Sequence, residues 1–101
     1  FDLEMRYVAA SRRWREHYRL PSDVRGLSHY ELLPDIPAEW REVHRRALAG
    51  VPQSADDDAW HRADGTTQYL SWQVLPWLTD ANEVGGVLIT VEDVTERVEF
   101  T

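Results

Sequence analysis

His44 is the side chain best placed for chemistry. It falls among Trp40, Val43, Ala47 and Leu48, whose i, i+3, i+4, i+7, i+8 spacing predicts one apolar helix face. An imidazole there can ligate a haem iron or hold a pH-sensitive hydrogen bond to a bound molecule. The plainer reading, a packed histidine satisfied by a neighbouring carbonyl, is the one we adopt. His17, His29 and His61 are scattered, and none forms a helical i, i+4 pair with His44, so no zinc site is expected. Asp56-Asp57-Asp58 invites a cation but lacks the alternating oxygen ligands and central glycine of a calcium loop, and it reads as a solvated turn. Ser11, Ser28, Ser54 and Ser71 stand beside His and Asp, yet none lies in a Gly-x-Ser-x-Gly elbow. No catalysis by this chain is expected.

Composition narrows the chemistry further. There is no cysteine, which excludes disulfides, thiolate metal sites, a thiol nucleophile and a thioether-held chromophore. All eleven basic residues are arginine, so neither a Schiff base nor a P-loop can form. Residues 1–50 hold nine Arg against eight acids, and residues 51–101 two against ten. A net charge of −7 opposes unspecific binding to nucleic acid or anionic lipid, because both demand neutralised phosphates. No apolar run approaches the roughly 20 residues that span a bilayer, and no signal peptide opens the chain. At 101 residues the chain suits one domain, and its start at Phe1 without Met suggests a piece of a longer protein. A cytoplasmic location without membrane insertion is the expectation.

The elements that must position these residues follow from periodicity. Arg6 to Ala10 predicts a short strand after a turn at Asp2-Leu3-Glu4. Ser11 is a good N-cap for a helix carrying Trp14 and Tyr18 on one face, and Leu20 to Asp23 ends it before a very short helix closing at Gly26. Pro37 to Ala49 is the clearest helix, with Gly50 as its stop. Beyond residue 51 the period changes to two. Asp64-Gly65 predicts a hairpin between strands at 59–62 and 67–75, with Leu70, Trp72 and Val74 on one face and Tyr69, Ser71 and Gln73 on the other. Pro76 to Gly86 is a looser turn before a last strand over 84–94, where Val87, Ile89 and Val91 alternate with Leu88, Thr90 and Glu92. The class is α+β, with helices gathered on one face of an antiparallel sheet.

His61-Arg62-Ala63-Asp64-Gly65, an aromatic-rich strand, Pro76, Gly85-Gly86-Val87 and the closing Glu92-Asp93-Val94-Thr95-Glu96-Arg97 together resemble the C-terminal half of bacterial PAS domains. Asp93 to Arg97 looks like the family's Asp-Ile-Thr-Glu-Arg signature, which joins the last strand to an output helix. Upstream, Val24-Arg25-Gly26-Leu27-Ser28 resembles its Leu-Ile-Gly-Arg-Ser stretch, Leu32-Leu33-Pro34 its helix ending in Pro, and Ser11 stands where the family usually has Asn. The resemblance implies a PAS fold: a five-stranded antiparallel sheet over residues 1–95, helices packed on one face, and an output or linker helix beginning in 96–101.

It further implies a non-catalytic signal-input module of a histidine kinase or diguanylate cyclase, cytoplasmic, homodimeric and covalently joined to an output domain. Trp40, His44, Leu70, Trp72, Val74 and Ile89 are the candidates for lining a small-molecule pocket. Asp93 and Thr95 are the candidates for signal relay, and Tyr69 and Trp77, on the opposite parity, for a dimer face. No cofactor is required. Haem-binding members place their ligand nearer the start of the long helix, around Glu39, so a haem or flavin sensor is the least favoured form. A docking module whose pocket is filled by Trp40, Leu70 and Trp72 is the alternative.

Overall fold

The computed structural model describes residues 1–61 and 64–99. Arg62 and Ala63, within the hairpin signature and the expected strand 59–62, lie outside the described residues, as do Phe100 and Thr101 of the expected output segment. The elements run α1 (Arg12–His17), α2 (His29–Leu32), α3 (Ala38–Leu48), β1 (Gln53–His61), β2 (Thr67–Leu78), β3 (Val84–Asp93) and α4 (Thr95–Glu99). The three strands form one antiparallel sheet in sequence order.

The two-residue period of the C-terminal half is the cause of that sheet. Even positions Trp72 and Val74 face inward, together with Val87, and are buried with Met5 and Ala47. The half-buried Trp40, Val43 and Leu48 of α3 close over this centre, as their helical spacing requires. Gly50, at φ 96°, ends α3 in the left-handed region where a side chain would be strained. The Asp64-Gly65 turn is held by the Asp64 carboxylate, which accepts from the Thr66 amide at 2.9 Å.

Three strands form among the described residues, where five are expected. Arg6 to Ala10 is no strand: Arg6 makes an isolated bridge to Ser28, flanked by backbone bonds of Met5 to His29 and of Tyr7 to Leu27 and Gly26, a pairing centred on Met5 to Tyr7 and too short to make a strand. Phe1–Asp2 adds one rung at the outer edge of β3, where Phe1 exchanges both backbone bonds with Val87 at 2.9 and 3.1 Å. The very short helix lies at His29–Leu32 rather than before Gly26. Its cap is Ser28, whose hydroxyl accepts from the Glu31 amide, whereas Asp23 spends its carboxylate on Arg25.

Two strands run further than expected. β2 continues through Pro76 to Leu78 because Pro76 sits opposite Val87, whose own amide and carbonyl point away, to Phe1. A residue without N–H costs nothing at such a non-hydrogen-bonded pair. β1 begins at Gln53, and Asp56-Asp57-Asp58 is therefore not a solvated turn. A bulge between Ala55 and Asp58 absorbs the run, with Asp57 left-handed at φ 53°. The extra residue reverses the parity of the strand. Gln53 and Ala55 are shielded before it, and Asp58 and Trp60 after it.

Candidate functional site

The bulge decides what the inner face can do. It turns Asp58 and Trp60 toward the same side as Trp72, beneath Trp40 of α3. The Asp58 Oδ2 accepts from Trp72 Nε1 at 2.9 Å and from Trp60 Nε1 at 3.2 Å. Trp40 stacks on Trp60, with ring centroids 5.4 Å apart and planes 11° apart, and meets Trp72 edge-on at 4.8 Å. These three indoles, with Glu39, Val43, Asp58 and Ala59, line a cavity of about 320 Å³. Among the described residues its lining includes two carboxylates and no arginine.

Of the six residues expected to line a pocket, Trp40 and Trp72 line this cavity. Val74 is fully buried in the close-packed centre, and Leu70 and Ile89 pack against that centre as half-buried apolar side chains. His44 lies one turn along α3 from Trp40, buried and not on the cavity wall. Its Nδ1 pairs with the Tyr30 hydroxyl at 2.8 Å, so a tyrosine rather than a backbone carbonyl satisfies it. Arg41 covers the Tyr30 ring at 4.3 Å.

A second buried histidine, His29, stands beside it with ring centroids 5.6 Å apart. Trp14 Nε1 donates to the Tyr7 hydroxyl at 3.1 Å, leaving that hydroxyl to donate its own proton to His29 Nδ1 at 3.0 Å. Burial pushes both imidazoles down to about 4, assisted at His29 by His44 and at His44 by the Arg41 charge. Both rings are therefore neutral at pH 7 and serve the hydrogen-bonded interior.

Sequence reasoning missed Asp58, Trp60 and His29. The i, i+2 spacing of Asp58 and Trp60 was available, but reading Asp58 inward requires knowing that the bulge exists. No group of three or more His, Asp or Glu able to hold a metal occurs among the described residues.

The output junction is built at the far end of β2. The Asp93 carboxylate accepts from Gln68 Nε2 at 2.7 Å and, through Oδ1, from the Thr95 amide at 2.9 Å and the Thr95 hydroxyl at 2.6 Å. The Thr95 oxygen in turn accepts from the Tyr69 amide at 2.9 Å. Thr95, at the first position of α4, does not cap the open amides of the helix start. It ties that start to β2 instead, and Asp93 caps it. One turn further, Arg97 reaches Asp57 of the bulge at 3.2 Å. On the outer face, Tyr69 is half-buried, and Trp77 is 39% exposed, its indole donating to Phe1 O at 2.8 Å. The most exposed apolar side chain there is Leu88, opposite the half-buried Leu75.

A family model described as PAS fold matches residues 1–99. The chain belongs to the PAS family. No curated protein matches it. Among solved structures it is similar to VqmA of Vibrio cholerae, described as a LuxR-type receptor dimer solved without its target DNA. The TM-score there is 0.71 at 20% identity, over 95% of this chain and 44% of that one. A second structure, VqmA bound to DPO, gives 0.66 at 19% identity over 91% and 48%. The chain thus spans less than half the length of these receptors, and at such identity the likeness is one of fold. As a PAS domain it is a sensory module. Among its described residues no helix is long and apolar enough to cross a membrane.

Proposed function

We propose that this PAS domain binds a small molecule in the cavity beneath Trp40 and passes the change to a C-terminal output helix. The observation that carries the reading is the bulge of β1. Asp58 holds two cavity indoles on one side of it, and the neighbouring Asp57 holds Arg97 of α4 on the other. A ligand that moves Asp58 therefore acts on the segment that anchors α4, while Asp93 and Thr95 fix where α4 begins. Two packings of the sheet against α3 and α4, biased by the ligand, make a switch.

The domain is proposed to act as a cytoplasmic homodimer with no catalysis of its own. Support for a ligand and a dimer comes from VqmA, named with DPO in one structure and as a dimer in the other. A histidine kinase or diguanylate cyclase is the output first expected, and a DNA-binding receptor joins them through the VqmA likeness. The net charge of −7 belongs to these 101 residues and sets no limit on nucleic-acid binding by an output domain joined to them. Native mass spectrometry of freshly purified protein tests the reading. A dimer mass with a retained small molecule, or a saturable thermal shift from a metabolite panel, is expected. A protein that shows neither, and whose tryptophan emission no compound alters, overturns it.

A further inference from the structure

Resting on that sensory reading, we infer that the cavity takes a small organic cation, a quaternary or methylated ammonium compound. Both indole N–H groups of Trp60 and Trp72 are committed to Asp58 Oδ2. What the rings then offer a ligand is carbon surface and the π-faces not taken by the Trp40–Trp60 stack, which carry the negative end of the ring quadrupole. Asp58 keeps unused acceptor positions on its carboxylate, since two donors fill only part of its capacity. The exposed Glu39 adds a second carboxylate to the lining.

Among the described residues of the lining there is no cation. The nearest arginine in sequence to Trp40, Arg41, lies over Tyr30 rather than in the lining. In the described lining an anionic ligand would meet two carboxylates and no counter-charge, whereas an ammonium group meets two carboxylates and aromatic rings. Methyl groups favour the site further, because Trp40, Trp60, Trp72 and Val43 give the wall an apolar surface that a strongly hydrated bare amine does not match. A volume of about 320 Å³ suits a small molecule rather than a peptide segment.

The test is a titration of the full chain with tetramethylammonium and with choline at constant ionic strength, read by tryptophan fluorescence and calorimetry. The same titration with 3,3-dimethylbutan-1-ol, the uncharged isostere of choline, isolates the charge. Saturable binding of the cations is expected, at least tenfold tighter than the isostere. Asp58→Asn, which still accepts the indole hydrogen bonds, is expected to cost tenfold or more. Glu39→Gln at the exposed rim is expected to cost two- to threefold without touching the fold. Equal binding of choline and its isostere overturns the inference even where Asp58→Asn fails to fold, as does unchanged affinity in Glu39→Gln and Asp58→Asn. Neutral heteroaromatics that saturate the signal while ammonium compounds do not overturn the inference and leave the sensory reading standing. Silence from every probe, with no retained ligand in native mass spectra, overturns both.

Discussion

His29 and His44 make the acid response of this protein predictable. Each is nearly inaccessible to solvent, and each is held neutral with its pKa lowered from 6.5 to about 4, chiefly by burial. The unfolded chain binds these protons more readily, so the stabilisation is complete above about pH 6.5 and is lost as pH falls toward 4. At pH 5 the loss is about 2 kcal/mol for each histidine taken alone. Urea denaturation at pH 7.5 and pH 5 is expected to show that drop, and a flat profile would contradict the buried pair. His44→Gln, which keeps a hydrogen-bonding group for Tyr30, is expected to cost about 1 kcal/mol at pH 7.5. It should also remove a large part of the acid sensitivity and leave a bound ligand in place. Loss of ligand on that substitution would show that His44 acts in recognition.

Among the elements, the edge of β3 and the start of α4 tolerate least. Gly86 lies where an added methyl would run into the backbone carbonyl of Phe1, and Gly85 where it would run into the Trp77 ring. A side chain can rotate away and a hydrogen-bonded backbone cannot. Gly86→Ala is therefore expected to destabilise by roughly 2–3 kcal/mol, and Gly85→Ala by less, measured as the midpoint of chemical unfolding. Equal costs would mean that the Phe1 rung is not held. At the output junction, Asp93→Ala removes the cap of α4 and the contact to Gln68 without opening the core. In the full-length protein it is expected to keep a folded sheet, with a melting temperature lowered by a few degrees, and to lose stimulus-dependent output. Normal switching would show that the signal leaves by another route, such as Arg97–Asp57, and failure to fold would show that Asp93 is structural.

At the scale of the whole molecule, the outer sheet face carries an apolar cluster, Leu75, Trp77 and Leu88, among polar neighbours. Leu88 stands 56% exposed beside Leu75, with Trp77 on the same strand as Leu75. A net charge of −7 repels a second copy at long range, which favours this apolar cluster as the contact of the proposed homodimer, helped by salt. Leu88→Glu is expected to shift sedimentation from dimer to monomer while leaving the melting curve of the monomer intact. A dimer that survives Leu88→Glu places the contact elsewhere.

Much of this was determined by the sequence alone. The α3 stripe from Trp40 to Leu48, the Asp-Gly turn and the alternation of β2 and β3 are local periodicities, and local pattern is what a chain carries in one dimension. The closing Asp93-Val94-Thr95 was placed by its resemblance to a family signature, but its ties to Gln68 and Tyr69 of β2, about 25 residues away, were not legible. Tertiary structure decided the rest. The course of β2 through Pro76 depends on Phe1, which is remote in sequence and takes the bonds of Val87. The partner of His44 proved to be a tyrosine from α2, which no spacing announces. Above all, the site rests on one bulge. A single extra residue at Asp57 reverses which side of β1 faces the core, and so three aspartates that look solvated in the sequence deliver Asp58 to the indoles of Trp60 and Trp72.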